Sequence, residues 1–422
     1  MYPLYIDPGT GSALFSIVIG IAAALYFLWR ALFIKVKSAF SGQKGAKLPS
    51  HKYAYVIYAE DKRYWSLFRP VLDEFERREI ELHYLTMSED EPVFDAGYHY
   101  IKPEYIGKGN AAFARLNMLS ADFVLATTPG LDVYQWKRSK GVRHYSHILH
   151  AVTDATSYRM FGLDYFDSVL LTGEYQRADI RKIERTRKLP EKQLATVGCS
   201  YLDEYEKALR QIRQDGPHEF TVLVSPSWGP SSLLIRYGEK LLTPLANTGW
   251  KIIVRPHPQS KITESQALET LADQYRAHKS LVWDYERDNT RSLAEADVMV
   301  SDFSGIIFDY MFLRDKPVIY VNYEYDQRMY DAHFLPETEL WQIKTLRKTA
   351  VELKESGFNN IEQTIRSVSD SETVKAARRE AQEEAWQHRG EAGKLTADFM
   401  IKTVNRIKTV NQTEKEGGVV VK

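Results

Sequence analysis

From Ala13 to Trp29 the chain carries no charged residue, and its apolar pattern continues past Arg30 to Val36. As a helix, residues 13–34 would reach ~33 Å at ~1.5 Å per residue, enough for a hydrocarbon layer. The flanks give the run a direction, with Asp7 before it and Arg30, Lys35, Lys37, Lys44 and Lys47 at its end and beyond. Positive charge collects on the cytoplasmic side of a membrane. Residues 13–36 therefore read as a single-pass anchor, with the N-terminus outside and everything after it cytoplasmic. A secretory leader would show the reverse order of charge.

A polar stretch, Ser41 to Ser50, leads into a different rhythm of short apolar runs alternating with amphipathic ones. Tyr53–Ala59, Glu81–Leu85, Phe123–Thr127, Tyr145–Leu149 and Ser168–Thr172 read as strands. Tyr64–Arg78 carries Leu67, Phe68, Val71, Leu72 and Phe75 at helical spacing. The polar breaker cluster Arg213 to Pro217 then separates a second unit of the same kind. Its strands are Phe220–Val224, Trp250–Val254, Asp297–Val300 and Pro317–Val321, with a helix ending near Asn247. Strands alternating with helices predict parallel sheets covered on both faces, hence an α/β fold. The boundaries are 51–212 for the first unit and 218–345 for the second. Residues 346–407 follow as closing helices, and 408–422 as a polar, disordered tail.

Composition narrows the function. Lys+Arg and Asp+Glu are each 56, for a formal net charge of zero, which argues against nucleic acid as the partner. The one cysteine, Cys199, excludes an internal disulfide and a cysteine metal cluster. No acidic cluster has metal-site spacing, so no tightly bound cofactor or metal is expected, and transient Mg²⁺ is left open.

In open α/β sheets ligands bind outside the carboxyl ends of the strands, which selects the candidate residues. His150 ends a first-unit strand and is a candidate base, against the plain alternative of a histidine satisfying a loop carbonyl. In the second unit, Ser227 lies in the small-residue join after Val224. Arg255 and His257 stand in Arg255-Pro256-His257-Pro258, whose prolines stop the strand and stiffen the turn. Arg255 offers a planar fork to phosphate. Ser301, Asp302, Ser304 and Gly305 follow Val300, with Ser304 as N-cap of a helix whose start faces an anion. Asp309, one turn on, is placed for a ribose diol or is a solvated carboxylate.

The segments Arg255–Pro258, Ala296–Gly305, Phe308-Asp309-Tyr310 and Lys316–Ile319 resemble the CDP-glycerol glycerophosphotransferase family, as do Ser225–Trp228, Val197-Gly198 and Asp203. The likeness is best over residues 145–325. It implies a GT-B fold, two Rossmann-like domains facing across a cleft, with an acceptor domain first and a donor domain second. It implies a membrane-anchored transferase that moves glycerol phosphate from CDP-glycerol to a lipid-linked or polymer hydroxyl in teichoic-acid-type synthesis. His150 would be the base and His257 would act on the donor phosphates. Ser304 and Gly305 would hold the diphosphate, and Asp309 would sit near the ribose. The chain departs from the family in Ala151 after His150, in Gly305 for a second serine, and in Asp309 for glutamate. The Ser-Gly pair is also similar to UDP-N-acetylglucosamine 2-epimerase. A sugar-nucleotide glycosyltransferase or epimerase is thus the alternative, and a non-catalytic scaffold of the same fold is the other.

Overall fold

Five consecutive residues at the end of the first strand, Tyr55 to Ala59, are buried. A strand apolar on both faces must be covered on both faces, as in a parallel sheet wrapped by helices. The computed structural model describes residues 52–212, 217–286, 288–322, 327–335, 339–368 and 372–417. Within them the first sheet consists of β1 (Tyr53–Ala59), β2 (Leu82–Thr86), β3 (Ile101–Tyr105), β4 (Ser120–Ala126), β5 (Gly141–Val142), β6 (Tyr145–Ile148), β7 (Ser168–Leu171) and β8 (Gln193–Thr196). Its order is β3-β2-β1-β4-β6-β7-β8, with β5 beside β4 and every pairing parallel.

The second sheet is built from β9 (Thr221–Val224), β10 (Lys251–Val254), β11 (Leu281–Trp283), β12 (Val298–Ser301), β13 (Val318–Val321) and β14 (Val351–Leu353). Its order is β11-β10-β9-β12-β13-β14, again all parallel. Chain order reverses direction between β1 and β4 in one sheet and between β9 and β12 in the other. Those two points open the crevices where α/β sheets take ligands. The expected α/β class and the GT-B-like pair of sheets describe this architecture.

The membrane part of the expectation is corrected. Among the described residues no helix is long and apolar enough to cross a membrane. The 13–36 segment itself lies outside the described residues. The spanning helix is accordingly removed from the fold class, and the single-pass topology and membrane location that depended on it are withdrawn.

The closing helices divide between the sheets. Ala381 and Ala385 of the helix Glu372–Ala385 pack with Phe308 and Phe312 of the second half. Ala397, Met400 and Val404 of the helix Ala392–Gly417 pack with Phe68 and Phe123 of the first. That last helix continues through residues 408–417, where disorder is expected from sequence; residues 418–422 lie outside the described residues. Between the two helices the chain passes close over the first sheet. A Cβ on Gly198 (φ +91°) would come within 2.3 Å of the Gln387 carbonyl oxygen. Asp203 fixes the crossing, accepting from Trp386 Nε1 and Gly390 N–H, both at 2.8 Å. Val152, Cys199 and Leu202 share one apolar cluster with Ile307 and Phe308, so the halves are joined through packed core.

Candidate functional site

The carboxyl end of β9 continues as Ser225-Pro226-Ser227-Trp228, and that of β12 as Ser301 to Gly305. Asp302, fully buried, ties the two together. Its Oδ1 accepts from the Ser227 N–H at 2.8 Å and the Ser304 N–H at 3.1 Å. Its Oδ2 accepts from the Ser227 hydroxyl at 2.8 Å and the Leu233 N–H at 3.1 Å. Ser301 adds a further tie, its hydroxyl donating to the Ser225 carbonyl at 2.6 Å. Asp302 and Ser301 therefore shape the crevice from beneath.

The helix after β12 runs Ile306–Arg314, with Gly305 as its N-cap and no side-chain cap bond. Sequence places the cap at Ser304; the structure moves it one residue on, because the Ser304 N–H is already turned to Asp302. Gly305 is in the right-handed helical region, φ −59°, and a Cβ there would meet only the Thr153 methyl, at 4.0 Å. The same distance shows how near the loop after His150 comes to this helix start. Helix N–H groups and the dipole end are left facing the crevice, a ready anion site.

Arg255 and His257 part company. The Arg255 guanidinium is turned to Asp284 at 2.5 Å and to the Glu286 carbonyl at 2.7 Å, bracing the turns after β10 and β11. His257 Nδ1 accepts from the Gln259 N–H at 3.1 Å. That bond assigns the proton of the neutral ring to Nε2, a donor for a phosphate oxygen. Burial and the Arg63 charge pull the His257 pKa below its usual value, and Asp302 and Glu264 offset part of the fall. The half-exposed Trp228 lies with its ring 6.3 Å from that of His257, at 31°.

Across the crevice, His150 follows β6. Its Nδ1 lies 2.8 Å from Thr127 Oγ1 and 3.0 Å from the Tyr158 hydroxyl, and Tyr158 also receives the His150 N–H at 3.2 Å. The Thr127 hydroxyl donates to the Ile148 carbonyl at 2.8 Å and so offers Nδ1 a lone pair, whereas the Tyr158 hydroxyl, an acceptor for the His150 N–H, has its hydrogen to offer Nδ1. With the ring proton on Nδ1, Nε2 is bare, the form a general base requires. Burial, aided by the Arg63 charge, takes the His150 pKa down to about 4, with a hydrogen bond to the Thr127 backbone opposing. His144 and His147 are core residues by contrast, one bonded to Ser168 Oγ at 2.8 Å and the other fully buried.

Asp309 is placed by a residue that sequence reasoning passes over. The Tyr201 hydroxyl donates to Asp309 Oδ1 at 2.5 Å, and burial raises the Asp309 pKa to about 7. Arg63 is the other residue missed. It stands in a short 3-10 turn after β1, and its charge reaches both His150 and His257. Its only sequence signal is position, just past the carboxyl end of β1. Among the described residues no group of three or more His, Cys, Asp or Glu side chains is placed to hold a metal ion.

Residues 233–342 match the family described as CDP-Glycerol:Poly(glycerophosphate) glycerophosphotransferase. The fold is similar to that of the wall teichoic acid polymerase TagF, at TM-score 0.56 and 12% identity over 90% of this chain and 98% of that one. It is similar to the UDP-GlcNAc 2-epimerase of Methanocaldococcus jannaschii, at TM-score 0.55 and 11% identity over 83% and 100%. The Neisseria meningitidis UDP-GlcNAc 2-epimerase follows at TM-score 0.51 and 12% identity, over 83% and 100%. No curated protein matches the chain. These likenesses establish a GT-B-like fold.

Proposed function

We propose that this protein is a GT-B transferase that uses a nucleoside-diphosphate-activated donor. The observation that carries the reading is the convergence of His257 and the bare start of the Ile306–Arg314 helix at the β9/β12 crevice, with the His150 loop against it. The donor diphosphate lies against the helix N–H groups and His257 Nε2, and Trp228 offers a ring face to the base. His150 Nε2 takes the proton of an acceptor hydroxyl as its oxygen attacks. The negative charge that develops on the leaving nucleotide is met by the helix start, His257 and Arg63.

Two donor classes fit this arrangement. With a sugar nucleotide the oxygen attacks the anomeric carbon, the carbon–oxygen bond to the diphosphate breaks, and the nucleoside diphosphate leaves. The Ser304-Gly305 pair and the fold shared with the two UDP-GlcNAc 2-epimerases support it. With CDP-glycerol the oxygen attacks the β-phosphorus, the bridging bond breaks, and CMP leaves. The match over residues 233–342 and the fold shared with TagF support that reading.

Calorimetry with UDP-N-acetylglucosamine, CDP-glycerol, CDP-ribitol and CMP separates them. Tight binding of one donor, weakened at least tenfold by His257→Ala, supports the proposal and selects the class. Binding of none of the four overturns it in favour of a non-catalytic scaffold.

A further inference from the structure

His150 Nδ1 lies between two hydroxyl groups of opposite disposition. Thr127 faces it as an acceptor only. Its hydroxyl hydrogen is committed to the Ile148 carbonyl at 2.8 Å, and its own carbonyl, also bonded to the ring, has none to give. The Tyr158 hydroxyl, 3.0 Å from Nδ1, accepts the His150 backbone N–H at 3.2 Å and keeps its hydrogen. A neutral imidazole carries one N–H, and the bond made at one nitrogen decides which it is. An Nδ1–H bonded to Thr127 leaves Nε2 bare. A hydrogen bond from Tyr158 to Nδ1 puts the ring proton on Nε2 instead. The two distances, 2.8 and 3.0 Å, differ too little for one partner to exclude the other. His147 does not enter this contest. Its ring stands 5.2 Å from that of Tyr158 at 87°, and neither of its nitrogens has a hydrogen-bond partner among the described residues.

Tyr158 is placed from the second half. Arg159, the next residue, forms an antiparallel β-bridge with Tyr330. The Met160 N–H donates to the Met329 carbonyl at 3.1 Å, and the Asp331 N–H donates to the Tyr158 carbonyl at 3.0 Å. The Asp331 carboxylate adds a side-chain tie, its Oδ1 accepting from the Phe161 N–H at 3.0 Å. Through Arg159, Met160 and Gly162 the same loop walls a cavity of about 240 Å³ in the crevice of the first sheet. The loop is therefore not packed solid on every side, and without these ties it has space to shift.

We infer that Tyr158 is a positioning residue that sets which nitrogen of His150 carries the proton, and that residues 329–331 of the second half set Tyr158. The proposed base of the first half is thus governed by bonds that come from the second. With the loop tied down, the Tyr158 hydrogen opposes the form with bare Nε2. With the loop released, Thr127 alone acts on Nδ1 and selects that form. The consequence for turnover rests on the transferase reading, in which only bare Nε2 takes the acceptor proton.

The test reads the ring nitrogens of His150 in long-range proton–nitrogen spectra of the full chain labelled with nitrogen-15 histidine. The spectra are taken without substrate near pH 7, where the ring is neutral. His150→Gln assigns the signals. Tyr158→Phe should move the ring proton toward Nδ1 and Thr127→Val should move it toward Nε2, each changing the tautomer ratio by roughly fivefold. Asp331→Ala should change the ratio in the same direction as Tyr158→Phe. Asp331→Asn, which keeps an acceptor for the Phe161 N–H, should return it toward the wild-type value. A merely structural role for Tyr158 and Thr127 would not drive the ratio in opposite directions. Shifts of the same sign in those two variants, or no shift in Tyr158→Phe, overturn the inference, as does a wild-type ratio in Asp331→Ala. These spectra need no substrate. They decide the inference even where neither UDP-N-acetylglucosamine nor CDP-glycerol binds, an outcome that counts against the transferase reading alone.

Discussion

The Tyr201 hydroxyl donates to Asp309 Oδ1 at 2.5 Å, joining the helix that leaves the first sheet to the helix that opens the second crevice. Burial raises the Asp309 pKa from its usual 3.8 to about 7. Between those values the folded state binds more protons than the unfolded one. Stability from this group is therefore greatest at acid pH and falls as pH rises from about 4 to about 7, at up to about 1.4 kcal/mol per unit. Asp309→Asn keeps an acceptor for Tyr201 and removes the titration. Urea unfolding from pH 4.5 to 7.5 should show a gain for the variant over the wild type that grows across that window. A constant difference would mean that Asp309 ionises normally.

Asp302 receives four hydrogen bonds from Ser227, Ser304 and the Leu233 helix start, around the β9/β12 crevice. Asp302→Ala leaves buried N–H groups unsatisfied, each at about 1–3 kcal/mol. The variant should lose on the order of 3 kcal/mol of stability, by the shift of its denaturant midpoint, together with nucleotide binding. Asp302→Asn keeps only part of the acceptor set and should fall between. Retained nucleotide affinity in Asp302→Ala would show that the loops hold their shape without it.

His150 reaches the cleft neutral at pH 7, with a pKa of about 4. A base must be unprotonated to act, so kcat/KM should be level above about pH 5 and fall below it as the ring gains a proton. His150→Gln should reduce turnover by about 10²–10⁴-fold while nucleotide binding changes little. A pH–rate profile with an acid limb near 7 would assign the base to another group.

The parts legible in the sequence are those where burial enforces a pattern. β1, β4, β7, β9, β10, β12 and β13 are central or near-central strands with largely apolar runs, β6 is buried although half polar, and the expected spans overlap them all. β3, β8, β11 and β14 pass unnoticed because they lie at sheet edges. Ile101–Tyr105 contains Lys102, Pro103 and Glu104, and Val351–Leu353 exposes two of its three residues. An edge strand needs only one covered face and tolerates proline, so its apolar signal is weak. At the site, Ser227, His257, Asp302 and His150 follow strand ends in the structure, where the sequence reading puts them. Their partners are not legible, because Arg255–Asp284, Tyr201–Asp309 and three of the four bonds to Asp302 join residues 29 to 108 positions apart.

Phe161 carries the most telling backbone strain, φ +65° on a bulky residue, in the loop that forms the wall of the first-sheet cavity. A side chain of this size in the left-handed region is costly and persists only where its surroundings hold it. The holder is Asp331 from the second half: its Oδ1 accepts from the Phe161 N–H at 3.0 Å and pairs with Arg187. Arg187 in turn pairs with Asp164 and lies over the Phe161 ring, 4.6 Å from its centroid. Asp331→Ala frees the strained turn, removes the Phe161 N–H acceptor and takes one carboxylate from Arg187, so it should cost about 1–3 kcal/mol. Asp331→Asn keeps an acceptor for Phe161 and loses only the charge, so it should recover about half of that. Hydrogen exchange should rise in residues 158–164 in the alanine variant and much less in the asparagine one. Unchanged exchange in both would place the restraint on Phe161 within the first half alone.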